Sequence, residues 1–213
     1  MIPRLSPDAL RGDVAEMLRP RVERLGYLGE FFRCAAHQPS ALISFMAFTD
    51  DLKHALPDRI TEIVALTVST DLGNAYERHQ HERLSIKLGF GEDWIRAIET
   101  LAADVAQPFQ GRDRGADQDP PGLRRSAVAS AKAESPARQK LSDTERCVQA
   151  LTLAVIRRHG HGTSGELKVV VDAIGHEQAI AVLMLIGRYV MHALMVNALE
   201  MEPPVPSPLE ASS

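Results

Sequence analysis

The sequence predicts an all-α protein, a helical bundle built from two related halves. Three observations carry this. Apolar residues make up 45% of the 213-residue chain but aromatics only 5%, so Ala, Leu, Val and Ile build the core, a composition that suits close-packed helices. Apolar positions recur at i, i+3, i+4 and i+7 in one segment after another, the period of a helix rather than of a strand. Finally, LPDRITEIVALTV (56–68) aligns without gaps with LSDTERCVQALTL (141–153), at an offset of 85, the sign of a duplicated helical unit.

The totals bound the function classes. The length suits one domain, expected over 1–205, with halves at 26–104 and 141–200, an insert at 106–140 and a disordered tail at 206–213. A net charge of −4 gives no general attraction to nucleic acid or anionic lipid, so neither is expected as a partner. Cys34 and Cys147 stand alone, which fits a reducing cytoplasm rather than a disulfide framework. The opening MIPRLSPDALRGD has no apolar stretch of the kind a signal peptide needs.

Taken in order, residues 8–19 form an amphipathic helix that Pro20 is expected to end. Further helices are expected over 27–37 and from Pro39 through Phe48. Pro57 suits a first helical turn, and Ile60, Ile63, Val64, Thr67 and Val68 give helix 57–70 one apolar face. Its reverse face, Glu62, Ala65, Leu66 and Ser69, is small enough for a second element to cover. Helix 74–88 stops at Gly89, and Trp94, Ile95, Ile98 and Leu101 mark helix 92–103.

Residues 106–140 are rich in Pro, Gly, Ser, Ala, Arg and Asp, and read as a long mobile loop with room for a short helix near 123–133. Ser142 with Glu145 gives a capping box for a helix running to Arg158. His159-Gly160-His161-Gly162 is a turn, with no third ligand to make it a metal site. Helices 164–174 and 177–200 follow. The last is apolar except at Arg188, His192 and Asn197, so it reads as a central bundle helix or a subunit interface rather than a membrane span.

The duplication is uneven. Leu56, Asp58, Ala65, Leu66 and Thr67 match Leu141, Asp143, Ala150, Leu151 and Thr152, and Gly91 and Gly175 each precede an amphipathic helix. Yet Cys147 stands opposite Glu62, and Glu166 opposite His81. The polar constellation belongs to the first copy alone.

That constellation is Glu62, Asn74, Glu77 and His81. The last three fall within about 60° of helical arc and share a face, whereas His79 points elsewhere. Two readings stand side by side. In one, Glu62 is a semi-buried carboxylate that reaches His81 across the 71–74 turn. In the other, Glu62 is a solvated acid near a helix start, Asn74 and Glu77 form a capping box, and His81 is a surface histidine.

The spacing Glu62-x11-Asn74-x2-Glu77-x3-His81, with IPRLSP, GEFFRCAAHQPSAL and LPDRITE upstream, resembles the carboxymuconolactone decarboxylase family over about residues 2–200. The resemblance implies an AhpD-like fold and a homo-oligomer, a trimer or a hexamer of trimers. The family's alkylhydroperoxidase branch carries Cys at the two positions held here by Asn74 and Glu77. A carboxylate cannot do thiolate chemistry, so this chain resembles a branch lacking the peroxidatic pair.

The expected function is a cofactor-free acid/base enzyme, a decarboxylase, hydrolase or isomerase acting on a small organic acid or lactone. His81 would be the general acid/base, its pKa near working pH, and Glu62 would orient it. Glu77 would stay protonated and donate. Asn74, Tyr76 and His79 would bind substrate, and no metal is expected. The rival readings are a non-catalytic oligomeric binding or scaffold protein of the same fold, and a peroxidase-related oxidoreductase using Cys34 or Cys147.

Overall fold

The computed structural model of the chain describes residues 2–101 and 141–210. The insert expected over 106–140, and its short helix, lie outside the described residues. Among the described residues there is no strand. After a short 3-10 turn at Pro7–Ala9 the helices are α1 (Gly12–Leu25), α2 (Glu30–Ala35), α3 (Pro39–Ala55), α4 (Asp58–Asp71), α5 (Ala75–Lys87), α6 (Glu92–Glu99), α7 (Asp143–Arg157) and α8 (Ser164–Ala198).

Helix ends follow local chemistry, with two corrections. α6 stops at Glu99 rather than running to 103, as Leu101 turns to φ 49°. α1 does not stop at Pro20 but carries it inside, and ends at Gly26 with φ 79°. The proline forfeits one hydrogen bond to the preceding turn, while Val14 and Leu18 in the turns before it stay buried. A left-handed position that glycine takes freely is the stronger stop. At α7 the expected box forms in full: Ser142 Oγ accepts from the Glu145 amide at 3.3 Å, and Glu145 accepts from the Ser142 amide at 2.6 Å.

The centre of the bundle is α4 rather than the last helix. Every residue from Ile60 through Ser69 is buried, because α5, α6, α7 and α8 all pack on it. The small side chains of Ala65 and Ser69 allow that approach on the face away from Ile60, Ile63 and Val64. α8 instead buries one side and exposes Ile180, Met184, Met191 and Leu194 on the other. It is long and apolar enough to cross a membrane by length and composition, yet 56% of its most apolar window is buried inside the protein.

Two apolar clusters result. One joins α4, α6, α7 and α8 around Trp94, Leu66 and Leu185. The other gathers α1, α2 and α3 with Tyr76 of α5 and Val196 of α8. α5 lies between them, and its polar side chains occupy the seam.

Matched positions of the two halves take matched places. Asp58 and Asp143 are the first residues of α4 and α7, Leu56 and Leu141 are buried just before them, and Leu66 and Leu151 are fully buried. Gly91 (φ 81°, ψ 156°) and Gly175 (φ 83°, ψ 168°) share a backbone conformation that favours glycine. At Gly175 it breaks α8 in two.

Residues 201–210, of which 206–210 were expected to be disordered, lie along α5 and α6. Arg83 Nε donates to the Pro206 carbonyl at 3.1 Å and Arg96 to that of Leu209 at 3.2 Å. Ser207 and Leu209 are buried. Composition hid this, because the anchors are backbone carbonyls and two buried side chains in a proline-rich run, and their partners, Arg83, Arg96 and Glu82, lie far upstream.

Candidate active site

The short turn after α4 sets the geometry. Gly73 takes φ 64°, the Asn74 amide donates back to the Ser69 carbonyl at 2.7 Å, and Asn74 Oδ1 accepts from the Glu77 amide at 3.2 Å to start α5. α5 then runs back along α4. Glu62 and His81 thereby come level, and His81 Nδ1 lies 2.8 Å from Glu62 Oε2. Ser85 Oγ donates to the same carboxylate oxygen at 3.3 Å.

His81 is held from both sides, since its Nε2 lies 2.9 Å from Glu77 Oε2. Glu77 continues the chain: its Oε1 is 2.9 Å from His192 Nε2 and 3.6 Å from Arg188 Nη1. Arg188 is fixed by a 3.2 Å hydrogen bond from Nε to Thr49 Oγ1 and by the rings of Tyr189 and Phe45, whose centroids lie 4.3 and 4.9 Å from its Cζ. His192 stacks on Phe31 with ring centroids 4.0 Å apart. Glu62, Glu77, His81, Arg188 and His192 are all buried. Together they form one connected line, Glu62–His81–Glu77–His192, with Arg188 beside Glu77.

The charges follow from this contact order. Burial alone would lower the pKa of His81, but the carboxylates of Glu62 and Glu77 outweigh it and raise the value to about 9. His81 is therefore an imidazolium at neutral pH, with both N–H groups donated to carboxylates. Burial pushes Glu77 the other way, yet His192, His81 and Arg188 hold it well below the usual carboxylate range. Glu77 is thus ionised, which corrects the expectation of a protonated donor: its neighbour is not a second bare carboxylate but three nitrogen bases. Burial lowers His192 despite Glu77. A neutral His192 that donates Nε2–H to Glu77 leaves Nδ1 as an acceptor, and that atom is buried without a partner.

A cavity of about 320 Å³ opens beside this line, and Glu77, His81, Arg188 and His192 all contribute to its wall. The remaining expected residues divide. The Tyr76 ring lines the cavity, but its hydroxyl accepts from the Phe31 amide at 3.4 Å and so anchors α2. Asn74 is buried as a cap. Only half of the capping box forms, because the Glu77 side chain turns to the histidines. His79 is not in the cavity wall. Two residues beyond Glu77 it lies about 200° around the helix, where Nδ1 meets the Val205 carbonyl at 3.1 Å.

Sequence reasoning did not assign Arg188 and His192. Their signal was present: two basic side chains spaced i, i+4 in a helix otherwise apolar. Among the described residues no group of three or more His, Cys, Asp or Glu is arranged to hold a metal ion. The two thiols sit in different apolar clusters, and burial raises the pKa of both.

No family model matches the sequence, and no curated protein matches it. Solved structures do. A peroxidase-related protein from Ralstonia eutropha JMP134, described as an alkylhydroperoxidase AhpD core and as uncharacterized, superposes with a TM-score of 0.68 at 13% identity over 94% of this chain and 90% of its own. A protein of unknown function from Agrobacterium tumefaciens, described as a candidate AhpD antioxidant-defence protein, gives 0.58 at 17% identity over 81% of this chain and 96% of its own. The eight helices of the described residues, with α4 buried among them and the Glu62–His81 pair between α4 and α5, are thus arranged on the AhpD-like fold.

Proposed function

We propose that the chain is a carboxymuconolactone decarboxylase-like acid/base enzyme acting on a small organic acid or lactone. The observation that carries this is the His81 ring, clamped between Glu62 and Glu77 at the wall of a cavity of substrate size. Buried groups whose environments push their pKa values apart define acid and base roles. His81 is the resident acid, Glu77 is the ionised carboxylate that stabilises its charge, and neutral His192 is the proton acceptor. In a decarboxylation the C–C bond to the carboxylate breaks, its electron pair forms an enolate, and a proton from this line is delivered to carbon. All groups needed for those proton steps are side chains, so no cofactor is invoked.

Thiol peroxidase chemistry is disfavoured by position and by charge. Neither cysteine lines the cavity, and both thiols are pushed away from the thiolate by burial. Two lone free thiols fit a reducing cytoplasm.

A second reading rests on α8. Ile180, Met184, Met191 and Leu194 are exposed and, with exposed Gly187, follow spacings of four and three residues, the pattern of a helix–helix seam. On this reading the face packs against further copies of the chain, in the trimer or hexamer that the family resemblance implies, and a non-catalytic assembly role would use the same face. Turnover of a panel of lactones and β-keto acids, compared with His81→Ala, tests the enzymatic reading. Turnover equal in both proteins defeats it. Light scattering at micromolar concentration tests the assembly, and a monomer rules it out.

A further inference from the structure

The cavity wall is far more basic than the protein. The chain carries a net charge of −4, yet the titratable wall residues include six cations, Arg21, Arg24, Lys53, Arg83, Lys87 and Arg188, against one carboxylate, Glu77. That carboxylate is already shared by His81, His192 and Arg188. Among the described residues none of the other five cations forms an ion pair.

The cations are graded by depth. Arg24, Arg83 and Lys87 are exposed at the mouth, Arg21 and Lys53 are half-buried, and Arg188 is buried at the floor. Exposed cations are served by water and need no explanation. Arg21 and Lys53 are different. Burial lowers the pKa of both, and Arg188 lowers each further; Asp50 acts on Arg21, and Glu62 and Glu77 act on Lys53, in the opposite sense. Among the described residues, Arg21 meets the Met46 sulfur at 3.6 Å and the Phe32 ring, 5.1 Å from its Cζ, and no carboxylate within ion-pair distance. Two like charges in the wall of one partly dry cavity are destabilising unless an anion joins them.

The rest of the wall defines the anion's body. Leu18, Leu25, Leu28, Phe31 and Phe32 line the same space, which suits an apolar skeleton rather than a bare inorganic ion.

We propose that the cavity binds a small organic carboxylate, its carboxylate group held by Arg21 and Lys53 and its far end against His81 and Glu77. This rests on the acid/base reading of the same site and adds its recognition residues. Arg21 of α1 and Lys53 of α3 come from the helices that precede the α4–α5 hairpin. Recognition and proton transfer are thus carried by different parts of the chain. A net positive cavity in an acidic protein also favours capture of anions from solution.

The test is calorimetric titration of the full chain with benzoate, its neutral isostere benzamide, and inorganic phosphate. Benzoate should bind at least about tenfold more tightly than either, the scale of one lost charge-assisted hydrogen bond. Lys53→Met and Arg21→Gln should each weaken benzoate about tenfold while the free proteins melt at the same or a higher temperature, since each removes an unpaired cation. A merely structural pair would lower the melting temperature and leave the benzoate preference intact. Equal binding of benzamide, equal binding of phosphate, or unchanged benzoate affinity in both variants overturns the assignment. Glu62→Gln, at a residue behind His81 and outside the cavity wall, separates this from the catalytic reading. It should retain benzoate binding while lowering turnover. Absence of turnover in the parent, with benzoate still bound and weakened by Lys53→Met, defeats the enzyme and leaves the anion site standing.

Discussion

The first and second halves carry the same backbone device in two chemical states. In the first, α4 and α5 bury Glu62 and His81 against each other, with Glu77 beyond. In the second, Cys147 takes the place of Glu62 and is only half-buried among apolar neighbours, while Glu166 takes the place of His81 and pairs with Arg158 near the surface. The bundle closes either way. The buried ionic line is therefore not what holds the fold together, and its burial must be offset by packing elsewhere. Polar groups that a fold does not need, placed beside a cavity, are the mark of a site.

The largest expected contrast is at Glu77. Glu77→Ala leaves His81 and Arg188 without a shared anion in a buried setting, and should cost about 3–5 kcal/mol of stability along with all turnover. Glu166→Ala, which breaks the surface pair of the second half, should cost less than about 1 kcal/mol. Denaturant midpoints of the two variants check this. Similar losses would mean that the two halves are not chemically distinct.

Next in size is a pH effect. His81 sits at about 9 when folded, above its ordinary value near 6.5. The sign follows from linkage: a raised folded pKa contributes stability that is fully present below about 6.5 and is lost as pH rises through about 9. The amount is on the order of 3 kcal/mol. Glu77, held low, acts oppositely, and its contribution is lost as pH falls through its depressed folded value. Glu62→Gln should lower the His81 pKa and flatten the alkaline decline. NMR titration of His81 in both proteins reads this directly, and an identical pKa would uncouple the pair.

Much of this contrast was legible in the sequence, for a physical reason. Glu62 and His81 stand about equally far from a short turn, so helical rise alone brings them level, and the unlike residues at 147 and 166 marked the first copy as the polar one. The charge state of Glu77 was not legible, because His192 and Arg188 arrive from a helix more than a hundred residues away. Pro20 misled because the period-3.6 pattern continues through it to Gly26. The buried run of α4 was half visible in its small reverse face. The docking of Ser207 and Leu209 was invisible, since a few anchors in a proline-rich tail carry no periodicity.

A smaller effect sharpens the likeness rather than the difference. Gly91 and Gly175 share nearly the same φ and ψ. A Cβ at Gly175 would meet no atom within 4 Å, so Gly175→Ala tests backbone conformation alone. Gly91→Ala and Gly175→Ala should each cost about 1–3 kcal/mol, and by similar amounts if the halves are equivalent. Thermal melts of the pair check this, and a neutral substitution at one site only would set the two turns apart.

The smallest effect concerns the helix starts, and it decides what Asn74 does. Ser142 opens α7 with a reciprocal box, whereas Asn74 opens α5 with one bond, because Glu77 has left the box for the histidines. Each cap is worth about 1 kcal/mol, so Ser142→Ala should cost slightly more than Asn74→Ala. Asn74→Ser keeps an oxygen able to accept from the Glu77 amide and should restore the stability lost in Asn74→Ala. If Asn74 only caps, turnover in Asn74→Ser should match the parent, since Glu77 keeps its place. A kcat that falls tenfold or more while the melting temperature holds would return Asn74 to the substrate, as its position in the motif first suggested, and would extend the site of the first half to the turn itself.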